Sequence, residues 1–85
     1  MDKELKNLRR EIDEIDKEII DLIENRVEIA KKTGEVKRER GLGITDSKRE
    51  ESVLENVSSR TELDKEFMKK LFKSIIDYCK NEECK

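Results

Sequence analysis

The sequence predicts an all-α fold with one long N-terminal helix and two shorter helices. Three observations support this prediction. The 85 residues include no proline and only three glycines, so few positions interrupt a helix. Apolar residues recur every three or four positions along the first part of the chain, which is the period of a helix face. Helix-ending and helix-capping residues cluster at two places, near positions 41–47 and near 58–64.

The first helix is predicted to run from about residue 3 to about residue 40. Its apolar stripe has heptad spacing and comprises Leu5, Leu8, Ile12, Ile15, Ile19, Leu22, Ile29 and Val36. Basic residues followed by Gly41 predict its end. At ~1.5 Å per residue this helix is roughly 55 Å long. The remaining residues are too few to cover it, so we expect it to pack along a second copy of the chain or against a partner.

The two shorter helices follow from capping residues and apolar faces. Asp46 or Ser47 can cap the second helix, and Ser47 fits a capping box with the glutamate three residues on. That helix is predicted to end near 58–59. Asp64 is the predicted cap of the third helix, which runs to about Glu83. Its apolar face comprises Phe67, Met68, Leu71, Phe72, Ile75, Ile76 and Cys79.

Composition excludes several classes of protein. The net charge is −2 and only three residues are aromatic, so nucleic-acid binding is the least favoured function, although 31–40 is locally basic. Without histidine there is no Cys/His zinc site, and we expect neither metal nor cofactor. Cys79 and Cys84 would point about 140° apart on a helix and cannot bridge within it.

Localisation and domain organisation follow from the same composition. No apolar run approaches the ~20 residues that a membrane span needs, and the N-terminus does not resemble a signal peptide. We therefore expect a cytoplasmic protein with reduced thiols and no membrane partner. Residues 1–85 are predicted to form a single domain. A chain this small needs an additional source of stability, and oligomerisation is the favoured one.

Two basic residues occupy positions where the first helix should be apolar. Arg26 follows Ile19 by one heptad, and Lys37 lies three turns further along the same face. The small residues Ala30 and Thr33 lie between them. An unpaired buried charge is costly, so something anionic should meet these cations. The sequence leaves open a buried ion pair with a carboxylate of another helix and a pocket for an anionic ligand.

Arg9 can join the same site only if two chains pair. It lies 17 residues before Arg26, about 25 Å away along the helix axis and rotated by about 100°. Antiparallel pairing of two long helices would bring Arg9 of one chain toward Arg26 of the other. Considered alone, Arg9 is interpreted as a solvated surface arginine.

Other polar residues have ordinary structural interpretations. Arg49 and Glu50 lie beside a helix cap and are interpreted as surface residues of the first turn. Cys79 is interpreted as a small apolar residue of the core. Glu83 ends an apolar stripe near the C-terminus, where a glutamate is usually solvated.

Five segments taken together resemble the all-helical (AroQ-type) chorismate mutases. In order, they are 8–16 (LRREIDEID), 22–30 (LIENRVEIA), 34–37 (GEVK), 46–50 (DSKRE) and 71–76 (LFKSII). Their order and spacing match the family over essentially the whole chain. The resemblance implies an intertwined antiparallel homodimer. It also implies the Claisen-type rearrangement of chorismate to prephenate, a step of the shikimate pathway that leads to phenylalanine and tyrosine.

The resemblance also implies roles for individual residues. Arg26 and Arg9 of the second chain would bind the two carboxylates of chorismate, and Lys37 would bridge a carboxylate and the ether oxygen. Glu50 would accept a hydrogen bond from the ring hydroxyl, with Asp46 nearby and Arg49 beside a carboxylate.

Two positions depart from the common bacterial pattern of that family. Glu83 stands where many members have glutamine, and fungal-type members carry glutamate there. A protonated Glu83 would donate to the ether oxygen, whereas an ionised one would repel it, so activity is expected to fall as pH rises. Cys79 replaces a small polar residue that helps to bind a carboxylate.

Two other functions stay open from the sequence. An isochorismate pyruvate-lyase of the same fold would use a similar pocket. A non-catalytic helical dimerisation module would use the long helix as a coiled-coil seam, although Arg26 and Lys37 do not suit a plain coiled coil.

Overall fold

The chain forms three helices, and no strand occurs among the residues that the structure describes. The computed structural model describes residues 2–85. Helix α1 spans Lys3–Glu39, α2 spans Ser47–Arg60 and α3 spans Lys65–Glu83. The all-α prediction is confirmed, and the helix bounds agree with the predicted ones to within about two residues. Within residues 2–85, no helix is both long enough and apolar enough to cross a bilayer.

Aspartate side chains cap the helices at their N-termini. The Asp2 carboxylate accepts hydrogen bonds from the backbone amides of Glu4 and Leu5, at 2.9 and 3.2 Å. Asp64 accepts from the amide of Phe67 at 3.0 Å. For α2 the cap is Asp46, and Ser47 is the first helical residue, so the alternative capping box at Ser47 is wrong. Each cap satisfies amides that have no partner inside the helix.

Gly41 ends α1 in a Schellman motif. Its φ of +68° lies in the left-handed region, which glycine adopts without a steric penalty. The amide of Leu42 donates to the carbonyl of Lys37 at 2.8 Å, and that of Gly41 donates to Arg38 at 3.2 Å. The motif turns the chain sharply back toward α2. It thereby brings the carbonyl of Ile44 within 2.8 Å of the Lys37 ammonium.

Helix α3 packs against both α1 and α2 and carries the core. The buried apolar side chains among residues 2–85 are Ile76 and Cys79, which are 7% and 3% exposed. Gly34 is also buried, under the C-terminal end of α3. The molecule measures 60 × 24 × 15 Å because α1 extends well beyond this core. The N-terminal part of α1 therefore lies free of the rest of the chain.

The projecting part of α1 carries an exposed apolar stripe. Its residues are between 45% and 66% exposed, and they are Leu5, Leu8, Ile12, Ile15, Ile19, Ile20 and Leu22. Isolated apolar residues are common on protein surfaces, but a continuous stripe of this length marks an interaction surface.

Candidate functional site

A cavity of about 270 Å³ opens between the three helices and the loop that joins α1 to α2. The residues that line it are Arg26, Ile29, Ala30, Thr33, Lys37, Ile44, Asp46, Arg49, Glu50, Val53, Ile76, Cys79, Lys80 and Glu83. The volume lies just below the usual range for ligand sites. Half of the lining residues are charged, which suits a polar, ionised ligand.

The cavity brings together seven of the eight candidate site residues. These are Arg26, Lys37, Asp46, Arg49, Glu50, Cys79 and Glu83. Arg9, the eighth candidate, is exposed on the projecting part of α1 and does not line this cavity. The three helices supply the seven residues from widely separated parts of the sequence, so folding of α3 onto α1 and α2 assembles the group.

Lys37 and Glu83 form an ion pair at one end of the cavity. The Lys37 Nζ lies 2.9 Å from Glu83 Oε1, and it also donates to the carbonyl of Ile44. The two side chains are only 19% and 12% exposed, so water screens the pair weakly. Glu83 is not the solvated terminal residue that its position indicated. For Lys37, the ion-pair hypothesis is confirmed. The cavity stays open beside the pair, and a pocket for an anionic ligand stays a prediction.

Arg26 contacts the sulfur of Cys79 across the helix interface. Its Nη1 donates to the Cys79 Sγ at 3.0 Å. Among residues 2–85, no carboxylate lies within 4.0 Å of the Arg26 guanidinium. Cys79 is buried as predicted, and it also helps to orient this guanidinium. Arg26 therefore faces the cavity with donors available for an anion.

Glu50 is bound by two lysines of α3. Its Oε2 lies 3.0 Å from Lys80 Nζ and its Oε1 lies 3.5 Å from Lys73 Nζ. The interpretation of Glu50 as a surface residue of the first turn is wrong, because its side chain is only 19% exposed. The hydrogen bond from Lys80 is the main reason that the pKa of Glu50 lies below its ordinary value. The carboxylate is consequently ionised at neutral pH and available as a hydrogen-bond acceptor.

Sequence reasoning missed the two lysines that hold Glu50. They lie seven residues apart on α3, which places them on one helix face two turns apart. That spacing predicts that the two lysines share a helix face. The carboxylate that they contact could not be predicted, because it depends on how α3 lies against α2.

Gly34 allows the C-terminal end of α3 to approach α1 closely. A Cβ at this position would lie 2.6 Å from the backbone oxygen of Glu83 and 2.9 Å from its Cα. The guanidinium of Arg38 also donates to that oxygen, at 2.7 Å. These two contacts fix the backbone that carries the Glu83 side chain. The sequence contains Gly34 within one of the family-like segments, but its packing role was not predicted.

Replacing Gly34 with alanine should therefore destabilise the protein and displace Glu83. Alanine at an exposed helix position normally gains about 1 kcal/mol over glycine. Here the added methyl group meets backbone atoms, and overpacking of this kind costs about 1–3 kcal/mol. We expect a lower melting temperature and weaker activity.

Gly43→Ala is the matched control, because a Cβ there meets no atom within 4 Å. Melting curves of both variants at one chain concentration provide the measurement. A Gly34→Ala protein as stable as the Gly43→Ala protein would contradict the packing account.

Comparison with known proteins identifies the family. The chorismate mutase type II family matches residues 8–84. That match spans nearly the whole chain, so the protein belongs to this family of helical enzymes.

Two relatives illustrate the range of proteins to which the chain is similar. The chorismate mutase of Methanocaldococcus jannaschii is 31% identical over 83 residues, which cover 94% of this chain and 84% of that protein. The bifunctional chorismate mutase/prephenate dehydratase of Aquifex aeolicus is 44% identical over 55 residues, or 65% of this chain. The matched segment spans only 15% of the length of that bifunctional relative.

A solved structure agrees with the fold. The chorismate mutase (form II) of Thermus thermophilus superposes with a TM-score of 0.91 at 30% sequence identity. The superposition covers 95% of this chain and 94% of the other. The arrangement of three helices is thus shared along almost the full length of both chains.

Proposed function

We propose that this protein is a chorismate mutase that converts chorismate to prephenate in aromatic amino acid biosynthesis. The observation that carries the proposal is the cavity lined by Arg26, Lys37 and Arg49 in a member of the chorismate mutase type II family. These three are among the four cations that line the cavity, and such a lining suits a ligand that carries two carboxylates. Residues 1–85 act in this proposal as one domain, and a cytoplasmic location stays a prediction.

The rearrangement makes few chemical demands on the protein. It is unimolecular and concerted, so it needs no nucleophile and no proton transfer. The enzyme must hold a flexible dianion in its reactive conformer and stabilise negative charge on the breaking ether oxygen. Positioning and preorganised hydrogen-bond donors supply both effects. A cavity rich in arginine and lysine, without histidine, is suited to this chemistry.

Arg26 and Lys37 carry the central roles. Arg26 binds one carboxylate, since its planar guanidinium can donate two parallel hydrogen bonds. Lys37 bridges a carboxylate and the ether oxygen. Its ammonium has three donors, of which Ile44 and Glu83 engage two, so one is available to substrate without breaking either contact.

The remaining lining residues complete the proposed site. Glu50 accepts a hydrogen bond from the ring hydroxyl, and Arg49 lies beside a carboxylate. Asp46 fixes the start of α2, because its carboxylate accepts from the Arg49 amide at 3.0 Å. Cys79 supports one carboxylate indirectly by holding the Arg26 guanidinium.

A second copy of the chain completes the site in this proposal. The apolar stripe of α1 is exposed, and the core among residues 2–85 has only two buried apolar side chains. Both observations favour an additional packing partner. Antiparallel pairing of two α1 helices through a twofold interface would cover both stripes. The same pairing would bring Arg9 of each chain to the cavity of the other.

The direct test is to follow the loss of chorismate absorbance with purified protein. We expect saturable turnover, formation of prephenate and a dimeric mass in solution. Isochorismate is the comparison substrate. Faster consumption of isochorismate with release of pyruvate would favour the lyase function, and no turnover of either substrate would favour the non-catalytic module. The family and the names of the relatives favour neither alternative.

Glu83 should limit the activity through its charge. It is ion-paired with Lys37, so its carboxylate repels the negative charge that develops on the ether oxygen. Glu83→Gln places a neutral amide donor there, so we expect it to raise kcat/KM by about 10-fold.

Glu82→Gln is the matched control, since Glu82 precedes Glu83 on the same turn of α3 but does not line the cavity. Its kcat/KM should stay close to that of the unmodified protein. A Glu83→Gln protein no faster than the Glu82→Gln protein would contradict the role assigned to Glu83.

A further inference from the structure

The lysines that contact Glu50 differ in their surroundings. Lys80 lines the cavity, its side chain is 27% exposed, and it meets Glu50 Oε2 at 3.0 Å. Lys73 does not line the cavity and is 51% exposed. Its ammonium is shared with Asp77, at 3.2 Å, and reaches Glu50 Oε1 only at 3.5 Å. Lys80 is thus the stronger and less screened partner of the carboxylate.

Other charged groups line the same cavity as Glu50. Those that line the cavity with it are Arg26 and Lys37 from α1, Asp46 and Arg49 at the start of α2, and Glu83 from α3. Within residues 2–85, none of them lies within 4.0 Å of the Glu50 carboxylate as an ion-pair partner. The orientation of the carboxylate consequently depends on the lysines of α3.

The position of Lys80 also matters for the charge balance of the cavity. The lining includes the cations Arg26, Lys37, Arg49 and Lys80 and the carboxylates Asp46, Glu50 and Glu83. Without Lys80 the lining would have equal numbers of cations and carboxylates, although the cavity is proposed to bind a dianion. Lys80 can therefore assist in two ways, by orienting Glu50 and by adding positive charge. The first effect concerns one hydroxyl of the ligand, whereas the second concerns its carboxylates.

We propose that Lys80 is a positioning residue that holds the Glu50 carboxylate in the orientation that accepts the ring hydroxyl of the substrate. Lys80 occupies Oε2 and leaves Oε1, with its weaker contact to Lys73, as the acceptor for that hydroxyl. This inference rests on the proposed chorismate mutase function. Its consequence is that Lys80 contributes to recognition of the hydroxyl rather than to the chemistry at the ether oxygen.

Lys80→Met and its matched control Lys73→Met test this role. Each variant removes one ammonium that contacts Glu50. The ammonium of Lys80 lies inside the cavity, and that of Lys73 lies outside it. The substrates are chorismate and the chorismate analogue that lacks the ring hydroxyl. We expect Lys80→Met to lower kcat/KM for chorismate by about 10-fold, which is the effect of one hydrogen bond to a charged group. For the analogue, Lys80→Met should lower kcat/KM much less. Lys73→Met should change kcat/KM for either substrate by about 2-fold or less.

The pH profile supplies a second readout. Loss of the Lys80 hydrogen bond raises the pKa of Glu50 toward its ordinary value, so the acid limb of kcat/KM should move to higher pH in Lys80→Met. Lys80→Arg keeps a charged donor and should restore both the activity and the preference for the hydroxylated substrate. Circular dichroism melts establish that each variant is folded, and Lys80→Gln replaces Lys80→Met if the latter is not.

The outcomes separate this inference from the proposed function. Equal losses on the two substrates, or equal losses in the two lysine variants, overturn the positioning role while the protein remains a chorismate mutase. An unmodified protein that rearranges neither substrate overturns the proposed function itself, and the role of Lys80 fails with it.

Discussion

Replacing Arg26 with alanine should lower kcat/KM for chorismate by about 1,000-fold, because it removes a charged donor preorganised inside the cavity. The guanidinium lies against Cys79 and has no carboxylate partner within residues 2–85, so its donors face the cavity. Stability should change little, since the variant loses one contact to sulfur and no ion pair. Steady-state kinetics and a thermal melt measure the two effects separately.

Two further variants show whether the loss of activity in Arg26→Ala arises from the lost charge or from the lost donor geometry. Arg26→Lys keeps the charge but loses the planar pair of donors, and it should recover only a small part of the activity. Lys32→Ala removes a cation from an exposed position of α1 that does not line the cavity, and it should retain nearly full activity. An Arg26→Ala protein that keeps its activity would contradict the proposed site.

Arg9→Ala should lower kcat/KM by about 100-fold, although Arg9 does not line the cavity of its own chain. In the proposed dimer Arg9 of each chain binds a carboxylate in the cavity of the other, which is the reason for the expected loss. Arg10→Ala is the control, since Arg10 is the exposed neighbour on the same helix and points about 100° away. The measurement is steady-state kinetics at a chain concentration where the solution mass is dimeric. If the Arg9→Ala and Arg10→Ala proteins were equally active, Arg9 would be a solvated surface residue.

The helices could be predicted from the sequence because local interactions determine them. The caps at Asp46 and Asp64 and the turn at Gly41 act on amides and carbonyls within a few residues. The spacing of Arg26 and Lys37 along one helix face placed them together for the same reason. The prediction for Glu50 was wrong, since a first-turn glutamate is ordinarily solvated, whereas this one is paired with Lys80.

The contacts that shape the site were not predictable from the sequence. The pair of Lys37 with Glu83 joins residues 46 apart, and that of Lys80 with Glu50 joins residues 30 apart. Both depend on how far α3 slides along its neighbours before it packs. The close approach at Gly34 helps to set that position, because any larger residue would push the end of α3 away. No periodicity in a single sequence encodes this long-range register.

Mixing the Arg9→Ala and Arg26→Ala proteins tests most directly whether two chains build each site. Half of the dimers formed after subunit exchange should be mixed, and each mixed dimer has one site with both arginines intact. We therefore expect two nearly inactive proteins to recover about a quarter of the unmodified activity when they are combined. If each site used Arg9 and Arg26 of the same chain, or if Arg9 were not used at all, mixing would restore nothing beyond the sum of the two variants. That result would contradict the shared cationic cavity.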